Sequence, residues 1–238
     1  MKLAVISIHS GKEEKIIKTC YSVDSQILKP DLHLVVSKKV LLKKIIYKKN
    51  YRKIIFGKDN SIYDAMNLGL LNTKKYLILF LNSGDIFFSN KSIFYIKKFI
   101  RSNNCLQFKT VLKFKNNYFY PKKNFFMSKK YFAHPSFLRP PTLNLFKKFD
   151  LKKGMIADMI WIKENIKIHK LIKIDQFLSI HFLGGISSNP SINSIKFFKQ
   201  SGRIFFIKEI IKFFLKKILN LKLYYKLIYL NKFTYDKN

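Results

Sequence analysis

Acidic side chains are scarce in this chain, 13 against 47 Lys and Arg over 238 residues, for a formal net charge of +34. An Asp at the end of an apolar run is therefore more informative here than in an average protein. Asp59, Asp64 and Asp85 fall within one stretch of the first half, and Asp158 lies far downstream in an otherwise apolar helical segment. Carboxylate oxygen can hold a divalent cation against a departing diphosphate. A second, separate carboxylate can act as base toward an attacking hydroxyl. Two separated positions suit that pair of tasks, and spacing alone carries the reading no further.

Each of these residues also has a plainer use. Ser61-Ile62-Tyr63-Asp64 fits a capping box with Asp in place of Glu, which makes Asp64 a helix-start residue. Asp85 fits a turn after Gly84, and Asp158 fits a cap on the helix that follows or a partner for Lys163. His134, beside Pro135, reads equally as a substrate contact or a structural histidine. His181 precedes Gly184-Gly185 and could reach a metal, although an ordinary histidine is the simpler reading. The Gly pair itself fits a backbone demand for positive φ.

The elements that must position these residues alternate in type. Leu3 to Ile8 reads as a buried strand, Glu13 to Ser22 as a helix, and Leu32 to Val36 and Lys53 to Phe56 as two further strands. Ser61 opens a helix to about Leu71, and Tyr76 to Leu81 is a fourth, fully apolar strand. This alternation predicts a largely parallel α/β sheet with helices on both faces, and ligands in such sheets bind outside the carboxyl ends of the strands. The most polar strand exit is Asn82-Ser83-Gly84-Asp85. Further on, Leu106 to Phe114 and Tyr118 to Tyr120 predict a hairpin around Asn116-Asn117. Ala133 to Leu138 reads as extended, Met155 to Asn165 as a helix and Ile168 to Ile174 as a strand.

Two of these blocks, Asp59-Asn60-Ser61-Ile62-Tyr63-Asp64-Ala65-Met66-Asn67 and Leu77-Ile78-Leu79-Phe80-Leu81-Asn82-Ser83-Gly84-Asp85, resemble glycosyltransferase family 2. The likeness is to its colanic-acid and capsular-polysaccharide branch, with its D-x-G-I-Y-D-A-M-N-x-G and F-L-N-S/A-G/D-D motifs. His134-Pro135, Ala157-Asp158 and Gly184-Gly185-Ile186-Ser187 correspond to later blocks of that branch. The resemblance runs from about Leu3 to Ser188. It implies a GT-A fold, a Rossmann-like nucleotide-binding sheet of mainly parallel strands flanked by helices, and an inverting transfer of a sugar from a nucleotide-diphosphate donor to a hydroxyl of a polysaccharide or lipid-linked glycan. Under it Asp85 is the ligand of Mg²⁺ or Mn²⁺, and Ser83 stands where the motif's first Asp often stands. Asp158 is the catalytic base, Asp59 and Asn67 line the donor and acceptor cleft, and His134, Gly184 and Gly185 sit on the acceptor side. Val36-Ser37-Lys38-Lys39 lacks the acidic loop that many members carry after the second strand.

The implied organisation is a GT-A domain over residues 1–193 and a basic helical tail over 194–238. Ile204 to Lys222 puts Lys208, Lys212 and Lys216 on one helical face, with aromatic and aliphatic residues over most of the rest. Such a helix can lie on an anionic membrane or pack on the catalytic domain with its Lys in water. The basic residues are almost all Lys and spread along the chain, whereas a nucleic-acid binder would recruit Arg and concentrate it. Nucleic acid is accordingly not an expected partner. The main rival is a degenerate homologue acting as a basic membrane-surface or nucleic-acid binding protein. Cys20 and Cys105 have no metal-ligand spacing and fit a reducing compartment. With no leader-like segment and no apolar run near the ~20 residues of a membrane span, the expected place is the cytoplasm, peripheral on the inner face of the membrane.

Overall fold

The computed structural model describes residues 1–38, 49–57, 61–100, 103–141, 147–183, 194–195 and 203–237. In chain order its elements begin with β1 (Leu3–His9), α1 (Glu13–Asp24), β2 (Leu32–Ser37), β3 (Arg52–Phe56), α2 (Ile62–Leu71) and β4 (Leu77–Phe80). There follow β5 (Ile86–Phe87), α3 (Ser92–Phe99), β6 (Cys105–Phe114), β7 (Asn117–Pro121), α4 (Lys123–Met127) and β8 (Phe137–Arg139), this last entered through a 3-10 turn at His134–Ser136. A 3-10 stretch at Leu151–Ile156 leads into α5 (Ala157–Ile168), and then come β9 (Leu171–Phe182), α6 (Arg203–Ile218), α7 (Leu221–Tyr229) and β10 (Phe233–Lys237). The residues fall into two compact units, Met1–Thr110 with Tyr131–His181, and Val111–Lys130 with Phe182–Asn238.

In the first unit β1 runs parallel to β2 and to β4, and β2 parallel to β3. The order β4-β1-β2-β3 reverses direction between β1 and β4, which opens a crevice at their carboxyl ends. All seven residues of β1 are buried, because both faces of a parallel sheet are covered. Leu3 and Val5 pack with Leu79, Ile93, Ile96 and Phe108 on one side. Ile6 and Ile8 pack with Phe80, Met66, Leu70 and Trp161 on the other. Each such burial contributes about 1.5–3 kcal/mol. Helix α2 approaches β1 closely at Gly69, where a Cβ would stand 2.7 Å from Ile6 Cγ2. Its start is the capping arrangement expected for Asp64. Ser61 Oγ accepts from the Asp64 amide at 3.1 Å and donates to Asp64 Oδ2 at 3.1 Å.

In the second unit the distal end of β6 pairs antiparallel with β7, and β10 pairs antiparallel with β7. The connecting turn is Lys115-Asn116, one residue earlier than expected, with Lys115 at φ 52°. Asn117 opens β7 instead, its Nδ2 donating to the Phe114 carbonyl at 3.1 Å. Phe119, Tyr224, Tyr225 and Phe233 form the core. The single helix expected over Ile204 to Lys222 is two helices, broken at Asn220, whose Oδ1 caps α7 by accepting from Leu223 N at 2.9 Å. The compact units also differ from the division read at residues 193 and 194. The C-terminal helices share a core with the β6–β7 hairpin, since aromatic residues of both supply its apolar surface.

Candidate active site

The polar exit of β4 is held to β1 beyond the strand itself. The amides of Leu81 and Ser83 donate to the carbonyls of Ile6 and Ile8 at 2.9 and 3.0 Å, and Ser83 Oγ lies 3.1 Å from His9 Nδ1. A buried polar chain supports the same exit. Arg52 Nε donates to His33 Nδ1 at 3.0 Å, so His33 Nε2 carries the proton toward Ser7 Oγ at 3.0 Å. Ser7 in turn donates to the Leu81 carbonyl at 2.6 Å. Burial, and then the Arg52 charge, hold the His33 imidazole well below its usual pKa and therefore neutral.

The turn that follows needs glycine, since Gly84 sits at φ +103°. Thr19 of α1 clamps it, accepting from the Gly84 amide at 3.0 Å and donating to the Asp85 carbonyl at 2.8 Å. Asp85 is 5% exposed. The antiparallel pairing of Ile86 with Ile180 carries His181 across from it, and His181 Nδ1 stands 2.8 Å from Asp85 Oδ1. Burial disfavours the His181 cation, but the Asp85 charge and hydrogen bond, aided by Asp158, outweigh it and raise the pKa.

Strand β8 runs antiparallel to β4, so the residues just before it return to the β4 exit. His134 lies there, with Nε2 3.4 Å from Asn82 Nδ2 and Nδ1 3.2 Å from Asp158 Oδ2. The His134 and His181 rings meet edge to face with centroids 6.1 Å apart. Asp158 stands in the first turn of α5, where the helix dipole favours an anion, and its Oδ1 accepts from the Met159 amide at 2.7 Å. Burial pushes its carboxyl up, but the His134 bond and charge together with the Met159 amide hold it below the usual value. Trp161 anchors the helix, stacking on Phe149 at 4.7 Å and donating from Nε1 to the Lys147 carbonyl at 2.9 Å.

Of the residues singled out from sequence, Ser83, Asp85, His134 and Asp158 are thus brought together at one end of the first unit's sheet. Asp158 pairs with His134, not Lys163. Asn67 acts one step away. Its amide donates to the Phe149 carbonyl at 3.0 Å and accepts from the Phe149 amide at 2.7 Å, which fixes the approach to α5. Asp59, Gly184 and Gly185 lie outside the described residues. His9 and Thr19 were not legible as site residues, although His9 ends a buried strand whose carboxyl end faces the crevice. The His181–Asp85 pair had no local signal at all, because β5 is two residues long.

Among the described residues no three His, Cys, Asp or Glu side chains gather as a closed metal cage. Mg²⁺ and Mn²⁺ at phosphate sites need less than that, commonly one or two protein carboxylates with phosphate oxygens completing the shell. The buried carboxylate of Asp85 fits such a shared site, with His181 as the hydrogen-bond partner of its Oδ1 and not as a metal ligand. The two cysteines are free and buried, and burial pushes their thiols up to about 11 for Cys20 and about 12 for Cys105, so neither is a nucleophile at neutral pH.

No family model and no curated protein matches the chain. Among solved structures it is similar to Staphylococcus aureus TarS, of GT-A-like fold. TarS 1–349 in complex with UDP aligns with a TM-score of 0.64 at 16% identity, over 77% of this chain and 61% of that one. The fold is GT-A-like. The complex of TarS 1–349 with UDP-GlcNAc gives 0.63 at 17% identity, over 84% and 64%, and TarS 1–349 alone gives 0.66 at 16%, over 94% and 68%. This chain therefore spans about three fifths of the length of the first of these, 61%. Likeness at such identity speaks to the fold and not to the family branch whose motifs the sequence resembles.

One expectation follows from the His134–Asp158 pair. For Asp158 acting as a base, which works deprotonated, a lowered pKa would carry activity toward acid, and losing the cause of the lowering would move the acid limb upward. His134→Ala leaves burial opposed only by the backbone amides of Met159 and of Asp158 itself. The ratio of kcat at about pH 5.5 to kcat at about pH 7.5 should fall in the variant relative to wild type. An unmoved acid limb would show that His134 does not set the carboxyl.

Proposed function

We propose that this chain is an inverting glycosyltransferase that uses a nucleotide-diphosphate sugar, akin to the colanic-acid and capsular branch of family 2. The observation that carries the reading is the meeting of two carboxylates, Asp85 and Asp158, each bonded to its own histidine, at the carboxyl end of β4 in a GT-A-like sheet. Their protein environments suit different tasks. Asp85, buried on the Thr19-clamped turn, would hold a divalent cation with His181 beside it. When bound, that cation neutralises charge on the departing diphosphate. Asp158, held ionised, would accept the proton of the acceptor hydroxyl as its oxygen attacks the anomeric carbon from the side opposite the diphosphate. The carbon–oxygen bond to the diphosphate breaks and the configuration inverts. Asn82, His134 and Asn67 fix the two carboxylates relative to each other. A glycan or lipid-linked glycan supplies the hydroxyl.

The test is thermal stabilisation by UDP-, GDP-, dTDP- and CMP-sugars with and without Mn²⁺, on the wild type and on Asp85→Ala. Uridine diphospho-sugars come first, since TarS is crystallised with UDP and UDP-GlcNAc. A donor at about ten times its Kd should raise Tm by roughly 3–6 °C. The rise should require Mn²⁺ and vanish in Asp85→Ala. No stabilisation of the folded wild type by any member of the panel would overturn the reading.

A further inference from the structure

Helix α6 presents its faces in an order opposite to that of a packed amphipathic helix. Ile207, Ile211, Phe214 and Ile218 follow one another at helical spacing and are 47, 51, 56 and 77% exposed. Glu209, on the opposite side, is 5% exposed and bonded to Ser194 and Lys212. Burying a carboxylate while showing four large apolar side chains to water gains nothing from the hydrophobic effect alone, and large exposed apolar patches mark interaction sites. The next helix repeats the pattern. Leu223 and Leu227 of α7 and Leu230 just after it are 42, 49 and 50% exposed, while Tyr224 and Tyr225 fill the core of the unit.

The charge around these stripes says what covers them. Glu209 and Asp236 are the only acidic residues in the sequence of the second unit, against seventeen Lys or Arg. Lys208 flanks one side of the α6 stripe and Lys217 the other, while Lys212 lies further round and pairs with Glu209. Lys208, Lys212 and Lys130 also lie near enough to Lys232 to lower its pKa, after the larger effect of burial. Such crowding disfavours a second copy of this chain, whose patch would bring the same lysines face to face. Among the described residues no helix is long and apolar enough to cross a membrane.

We infer that the second unit docks on an anionic phospholipid surface through Ile207, Ile211, Phe214 and Ile218 of α6, with the flanking lysines at the headgroups. Apolar insertion and headgroup attraction act together in that geometry. The inference does not depend on the transferase reading, and none of these residues belongs to the candidate active site.

The experiment is flotation of the full chain with vesicles of phosphatidylcholine alone and of phosphatidylcholine with phosphatidylglycerol at three to one. The variants are Ile211→Ser/Phe214→Ser and Lys208→Gln/Lys217→Gln. Wild type is expected to float with the anionic vesicles only, and less at high salt. Each double variant should bind them about tenfold more weakly at unchanged Tm. Equal flotation with both vesicle types, or anionic flotation unaffected by Ile211→Ser/Phe214→Ser, would overturn the proposal. So would a dimer in sedimentation that this variant dissolves, with no vesicle binding by the wild type.

Discussion

Replacing Asp158 by Asn is expected to lower kcat by about 10²–10⁴-fold while leaving donor stabilisation intact. The substitution keeps the size of the side chain and an oxygen for the Met159 amide, so the start of α5 is preserved and only the capacity to take a proton is lost. Because the carboxyl is bonded to His134 while the turn that carries Asp85 is held separately by Thr19, donor binding and proton removal should separate. Steady-state kinetics with the donor identified by the thermal panel would check this, alongside Tm shifts on the same variant. A variant with more than about a tenth of wild-type kcat would remove Asp158 from the role of base.

Replacing Trp161 by Ala is expected to cost about 3–5 kcal/mol of folding stability, the range for a large aromatic taken from a packed core. Trp161 is 2% exposed. It stacks on Phe149 and meets Phe80 and Phe137 edge on at 5.8 Å each. It therefore joins α5 to β4 and β8, the two strands whose ends carry Asp85 and His134. Urea unfolding would measure the loss. Trp161→Phe should be milder, since it keeps a ring but leaves the Lys147 carbonyl without its indole donor. A loss within about 1 kcal/mol for Trp161→Ala would show that the aromatic cluster is not what holds α5 in place.

The parallel half of the sheet was legible because its strands are buried on both sides and read as unbroken apolar runs. Leu3–His9 and Leu77–Phe80 needed only that signal, and the capped start of α2 needed only Ser61 and Asp64. Long-range antiparallel pairing was not legible. Leu171–Phe182 extends well past the strand expected to end at Ile174 because Asp175 and Gln176 interrupt its apolar pattern. Pairing with β5, rather than any local preference, carries the strand on to His181. Periodicity likewise revealed that residues 204–222 are amphipathic but not which side is buried. Tyr224 and Tyr225, one helix further on, turn inward while the branched aliphatics of α6 face out. The turn at Lys115 slipped by one residue because a Lys accepted the left-handed backbone that an Asn was expected to take.

The aim of Asp85 is set without the residue two places before it. Gly84 supplies the bend, Thr19 of α1 grips the amide and carbonyl on either side, and the backbone of β1 holds Ser83. Among the described residues the side chain at position 83 contributes one bond, to His9. A lineage can therefore exchange the first acid of such a motif for serine and keep the second acid pointed where it was.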